Sequence, residues 1–355
     1  MKPEDLLTEL TAIPTAPFAE QNVLAYVRAW SRQRGYRVTA DAAGNLLVAK
    51  PGRSKKPRVV LVAHADHPGF VAGDLIDGKT FKANFFGGVH SKYFVGSRVR
   101  FFTDAGEIVA TVTEVDSDGV RPTGATLKAA KFVPPHSIGM WDVGGPKVKG
   151  QKFHCRVCDD LAGLAAGLAA LDASDNPAAP NAVLVTRGEE EGFIGAIAAM
   201  TGGLLRQTDR LVSIETSAEQ PYARQSDGMI IRVGDRTSIF NSAFTRFLGT
   251  RAEELQKADA AFKFQRALMP GGTCEATVFD AYDYTAAAVC VPLGNYHNMN
   301  TATGKIAAEY VDLRDWRSLV TLLTDVLNSH HEFSGTHAAL RQMLESRYAT
   351  FAGNL

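Results

Sequence analysis

The sequence has no surplus of either charge, since Lys+Arg and Asp+Glu both number 38. With no basic excess there is no overall field to draw the chain to nucleic acid or to an anionic membrane, and neither is an expected partner. It also lacks any apolar run approaching the roughly 18 residues that a membrane-crossing helix needs. The opening stretch MKPEDLLTEL is acidic and amphipathic, where a secretory leader would be basic and then apolar. A cytoplasmic location is the expectation. Cysteine is scarce: four in 355 residues do not make a disulfide framework. What the chain does have is 45% hydrophobic residues, enough for one large core or a main domain with a smaller companion.

Apolar residues recur at helical spacing over 4–12 and 19–34, and strand-like runs follow at Tyr36–Thr39, Leu46–Ala49 and Arg58–Ala63. From about 71 to 150 the character changes. Gly and Pro recur, Arg98–Phe102 and Glu107–Val115 alternate or run β-branched, and no helical period stands out. After 155 the spacing predicts helix 159–172, strand 182–186, helix 193–201, strands 210–215 and 228–233, helix 239–249, strand 286–291 and helices 307–328 and 336–347. The expected fold class is α/β, a mixed central sheet with helices on both faces. Residues 1–70 and 151–355 would form the main domain, and 71–150 an inserted small β-barrel.

The chemistry-bearing residues fall where strands end. Val59–Ala63 closes on His64-Ala65-Asp66, and residues two apart on an extended chain project to one side. His64 can thus ligate a metal while Asp66 supports it from behind. Cys158-Asp159-Asp160 opens an Ala/Gly-rich helix; an aspartate there is also the ordinary way to cap a helix. The strand Ala182–Thr186 runs into Glu189-Glu190-Glu191-Gly192, three adjacent carboxylates that need solvent, partners or cations to offset their repulsion. Leu211–Ile214 leads to Glu215, and Val289–Leu293 leads to His297. Each feature alone has a bland explanation in loop polarity or capping. Their convergence at successive strand-to-loop junctions is how open α/β sheets build sites at the carboxyl ends of strands. Two histidines with several carboxylates and no thiolate suit zinc, cobalt or manganese, and the excess of acids suggests two ions sharing a carboxylate.

The order of these motifs resembles the co-catalytic zinc peptidases, and within them the tetrahedral, glutamyl-aminopeptidase-like family. The residues that carry the resemblance are His64-Ala-Asp66-His-Pro-Gly69, Asp159-Asp160-Leu-Ala-Gly163, Glu189-Glu190-Glu-Gly192, Glu215-Thr216-Ser217, Pro270-Gly271-Gly272-Thr273 and Tyr296-His297, over nearly the whole chain. The resemblance implies that Asp159 bridges two divalent ions, most fittingly Zn2+. His64 and Glu215 would complete one shell, and Glu190 and His297 the other. Glu189 would be the general base, Asp66 a supporting catalytic residue, and the Asp159–Asp160 peptide cis. It further implies removal of amino-terminal residues from short peptides by a homo-oligomer assembled through 71–150. Departures from the family pattern limit what carries over: Glu215 stands where Asp is usual, Leu161 where Arg is usual, and Cys274-Glu275 where Thr-Asp is usual. The role of Glu275 is left open.

Two rivals remain at this stage. A deacylase or carboxypeptidase could use the same dinuclear plan, and a non-catalytic metal-binding relative could keep the fold. Cys155-x-x-Cys158 has no second pair and is read as structural. His90, His136 and His154 are read as surface or interface residues, and the aromatics Phe85, Phe86, Tyr93 and Phe94 as material for a subunit interface.

Overall fold

The computed structural model describes residues 2–52, 56–175 and 180–355. Four parallel strands form the centre of the main sheet, in the order Ala182–Thr186, Val59–His64, Arg210–Ala218 and Thr285–Gly294. Their apolar sequences run almost unbroken because both faces are covered. Alternation sorts the side chains. Leu61, Ala63, Val183, Val212 and Ile214 pack with the helices Leu161–Ala173 and Leu313–Ser329 on one face. Val60, Val62, Leu184 and Leu211 pack with Ala196, Ala199, Val278 and Phe279 on the other. Antiparallel strands flank this centre: Leu46–Ala49 and Arg37–Ala40 beyond one edge, and Glu309–Asp312, Lys152–Cys155 and Lys147–Lys149 beyond the other.

The helix Leu161–Ala173 is buried from Leu161 through Leu171. A helix that is apolar all round belongs in an interior. Its small residues let it lie close to the sheet: a Cβ on Gly167 would stand 3.0 Å from Ile214 Cδ1. This packing anchors the helix whose first residues follow Asp159-Asp160.

A closed barrel of six strands, from Gly69–Leu75 to Ile138–Trp141, interrupts the main sheet. The strand Lys147–Lys149, grouped with the insert in the sequence, instead pairs with Lys152–Cys155 of the main sheet. Phe70, Phe85, Phe94 and Trp141 meet ring to ring in the barrel core. The expectation that Phe85, Tyr93 and Phe94 face a partner is therefore corrected. They fill the barrel, while Leu75, Ile76, Val95, Val120 and Phe132 are the large apolar residues exposed there.

Two further segments differ from the sequence reading. The helix expected over 307–328 begins at Leu313, because Glu309–Asp312 is a short strand beside Thr285–Gly294. The strand expected to end at Glu215 continues to Ala218. Among the described residues no helix is long and apolar enough to cross a membrane.

Candidate metal centre

The parallel strands deliver their donors at one end. His64 is the last residue of its strand, the turn at Glu189–Glu191 follows Thr186, Glu215 lies near the end of the third strand, and His297 follows Gly294. Asp159 enters from the loop before the helix Leu161–Ala173. The structure thus brings together His64, Asp66, Asp159, Glu189, Glu190, Glu215 and His297, the residues expected to ligate metal or take part in the chemistry. Donor atoms fall into two groups, His64 with Glu189 and Glu215, and Asp159 with Glu190 and His297, each within 4.8 Å. Asp159 stands between them: its Oδ1 is 3.5 Å from His64 Nε2 and its Oδ2 is 3.5 Å from His297 Nε2.

Both imidazoles are oriented by main-chain carbonyls. His64 Nδ1 donates to the carbonyl of Asp66 at 3.1 Å, and His297 Nδ1 donates to the carbonyl of Gly88 at 2.7 Å. Each ring is left with Nε2 free to face the carboxylates, the tautomer a metal ligand needs. The capping alternative for the Asp-Asp pair is not realised. Asp160 occupies the N-cap position without a side-chain capping bond, and Asp159, joined to it by a cis peptide, faces the site.

The acidic turn is held by buried carboxylates rather than by solvent. Asp66 accepts the backbone N–H groups of Glu189 and Glu190, both at 3.1 Å, so it positions the turn as well as lying beside His64. Glu20 accepts the N–H of Gly188 and pairs with Arg187. Gly188 and Gly192 bracket the turn at φ of 59° and 99°, left-handed values that glycine adopts without strain. Each acid then has its own partner: Glu189 lies 3.9 Å from His64, Glu190 lies 3.1 Å from His297, and Glu191 pairs with Arg121 of the barrel.

Gly195 is the tightest point behind this turn. Its N–H closes on the Arg187 carbonyl at 2.8 Å, and a Cβ there would stand 2.4 Å from Arg187 backbone atoms. Gly195→Ala is expected to cost about 1–3 kcal/mol, because backbone rather than a flexible side chain must give way. Urea denaturation of the purified variant measures it; an unchanged midpoint would show that the turn can move.

The electrostatics describe an excess of acid. Burial lifts the carboxyls of Asp160, Glu189 and Glu215 above their ordinary range, although His64 opposes the rise in each. Burial likewise raises Glu275, to about 8. Asp159 is the exception: His297 and His64 outweigh its burial and hold it low. Burial opposes charge on both imidazoles, yet Glu189 beside His64 and Glu190 beside His297, with Asp159, raise them well above the usual value. Asp159 Oδ1, Glu190 Oε1 and His297 Nε2 are buried without an aligned hydrogen bond, Glu190 Oε1 and His297 Nε2 facing each other only as an ion pair at 3.1 Å. Converging N and O donors of this kind fit divalent cations, which would give these atoms well-aligned partners and offset the charge.

Beside the donors opens a cleft of about 140 Å³, lined by Thr216, Gln220, Arg232, Met269, Thr273 and Tyr296 among others. Reading the sequence missed His67 and Glu309, both fully buried next to the donors. His67 was quoted only within a motif, and Glu309 lay inside a segment read as helix. Glu275, left open before, is fully buried at the first position of the helix Glu275–Ala281, with neither oxygen hydrogen-bonded.

An α/β sheet with this donor arrangement and an inserted barrel defines the class, a metallopeptidase-type fold. The chain belongs to the M42 glutamyl aminopeptidase family, whose profile matches residues 44–130 and 124–313. It is 29% identical over 124 residues to glutamyl aminopeptidase of Lactococcus lactis subsp. cremoris (strain MG1363), covering 34% of this chain and 35% of that protein. It spans about a third or less of the length of the curated relatives it matches. In solved structures, aminopeptidase APDkam598 from Desulfurococcus kamchatkensis superposes with a TM-score of 0.78 at 18% identity, over 94% of this chain and 98% of that one. Pyrococcus horikoshii TET1 peptidase, which can assemble into a tetrahedron or a large octahedral shell, gives 0.75 at 19%, over 92% and 100%. Both likenesses concern the fold.

Proposed function

We propose that this protein is a metal-dependent aminopeptidase that removes amino-terminal residues from short peptides. The observation that carries the reading is Asp159, whose two oxygens each face one histidine from opposite donor groups. His64, Glu215 and Asp159 Oδ1 would hold one divalent cation, and Glu190, His297 and Asp159 Oδ2 a second. Zinc suits two histidines with carboxylates and no thiolate, and cobalt or manganese would fit the same donors. Such ions, when bound, supply Lewis-acid polarisation of the scissile carbonyl and of the attacking water.

The chain's own residues supply the rest. Glu189 accepts a proton from the attacking water at a carboxylate oxygen and returns it to the departing amine nitrogen. Asp66 keeps Glu189 and Glu190 in register by binding their N–H groups. The cleft beside Glu215 and Tyr296 receives the amino-terminal residue. Assembly into a homo-oligomer through the barrel, Gly69 to Trp141, is part of the same reading. It is supported by exposed Val95, Val120 and Phe132 and by the shells that the Pyrococcus protein forms. A cytoplasmic location accords with four free, buried cysteines.

Metal analysis of the purified protein, paired with matched free and acetylated peptides, tests the function. The expected result is bound divalent metal and cleavage of free amino termini, lost on chelation and restored by zinc or cobalt. Cleavage confined to acetylated peptides would replace this reading with a deacylase, and a protein that binds no divalent ion would remove it.

A further inference from the structure

We propose that Glu309 is the positioning residue that holds Asp159 and His297 together in one donor group, an inference that rests on the metal-dependent reading above. Its carboxylate is fully buried at the start of the strand Glu309–Asp312. Oε2 accepts the backbone N–H groups of Cys158 and Asp159, at 2.7 and 3.1 Å. Oε1 accepts the backbone N–H of His297 at 2.8 Å. A single side chain therefore ties together the chain segments that carry the shared aspartate and the late histidine, which lie far apart in sequence and on different elements.

Both segments need such a tie because neither has regular structure of its own. Asp159 lies in a loop, and His297 has φ 53° and ψ 36°, a left-handed backbone that neighbouring strands do not impose. Carboxylate acceptors satisfy buried N–H groups strongly, and their geometry sets where the following side chain points. His67 completes the support. Its Nδ1 faces the Asp159 carbonyl at 2.5 Å and its Nε2 faces Asn298 Oδ1 at 3.1 Å, while Nε2 lies 4.0 Å from Glu309 Oε1. Asn298 in turn donates to the carbonyls of Arg156 and Ala307. Glu309 itself touches no donor side chain; it acts through the backbone of two residues that do.

Glu309→Gln separates this role from general stability. An amide offers one oxygen and one NH2. With the oxygen kept on Cys158 and Asp159, the NH2 meets the N–H of His297, donor against donor; the reverse orientation sacrifices two bonds instead of one. The His297 arm is the one released. Cation affinity is read by competition with a chromophoric chelator, cobalt coordination by its visible spectrum, and folding by circular dichroism and the melting temperature of the metal-free chain.

The expected result is a folded protein whose metal-free melting temperature is near that of the wild type. One cation would bind as in the wild type, and the other, held by Glu190 and His297, about 10–100-fold more weakly. kcat would fall while KM stays within about threefold, since the substrate cleft is untouched. Wild-type affinity for both cations in folded Glu309→Gln would overturn the role. So would equal weakening of both with a matching fall in the metal-free melting temperature. If Glu309→Gln does not fold, Glu309→Asp carries the same test: it keeps the buried charge but is one methylene too short to reach both segments, and the same outcomes decide. A wild-type protein that binds no divalent cation would instead sink the functional reading on which this one rests.

Discussion

Glu189→Gln is expected to keep the cation stoichiometry of the wild type and to lower kcat by about 10²–10⁴-fold, the usual contribution of a general base. The amide has the shape of the carboxylate but cannot accept the proton of the attacking water. Metal analysis beside steady-state kinetics reads both halves of the prediction. The structure makes the first half informative, because Glu189 stands in one donor group with His64 and Glu215. Were Glu189 chiefly a ligand, the amide would release a cation and the loss of rate would follow from the loss of metal. A variant that keeps its metal and turns over at the wild-type rate would refute the base assignment outright. The backbone of the turn should not shift, since Asp66 holds it through the N–H of Glu189 rather than through its side chain.

Asp159→Asn should act differently, by emptying the site rather than stalling it. The aspartate presents one oxygen to each histidine, so an amide leaves only one of the two positions with a suitable donor and removes a negative charge shared by both. At least one cation should be lost at stoichiometric metal, with kcat falling by more than about 100-fold, beyond what supporting residues cost when altered. A second readout is thermal. A cation present at 1,000 times its Kd stabilises the folded chain by about 4 kcal/mol, and this variant should forfeit much of the rise in melting temperature on adding zinc. Asp159→Asn with two bound cations and an undiminished thermal response would show that the two donor groups are independent.

The two substitutions form a contrast that a merely structural cluster would not produce. Glu189→Gln leaves the metal and removes the proton acceptor, whereas Asp159→Asn leaves the acceptor and removes the metal. The buried Asp159 Oδ1, Glu190 Oε1 and His297 Nε2 make the second effect larger, since without cations only the facing His64, Glu190 and His297 groups offset their burial and none makes an aligned hydrogen bond.

Much of the architecture was legible in local pattern. The apolar runs at Val59–His64, Ala182–Thr186 and Thr285–Gly294 are strands because nearly every side chain in them is buried, and their polar terminations mark where the sheet ends. The barrel announced itself through alternation and recurrent glycine and proline. What misled was equally physical. Glu309–Asp312 is a strand because Lys152–Cys155 pairs with it on one side and Leu293 and Gly294 on the other, and the local mark of the boundary was Asp312, which caps the following helix by accepting the N–H of Arg314. Aromatics at Phe85, Tyr93 and Phe94 carry no local mark of direction; closure of the barrel turns them inward.

The sequence by itself determined which residues could act. The order of histidines and carboxylates, each at a strand-to-loop junction, depends on short-range periodicity and on residue chemistry, which travel with the chain. Only the tertiary structure decided how they act together. That the oxygens of Asp159 divide between two histidines, that Asp66 serves the acidic turn through its backbone, and that Glu309 spans two distant segments all follow from strand order and register. Those contacts join residues up to some 150 positions apart. Pairings of that range are set by how the whole core packs and not by any local preference, so no window of sequence contains them.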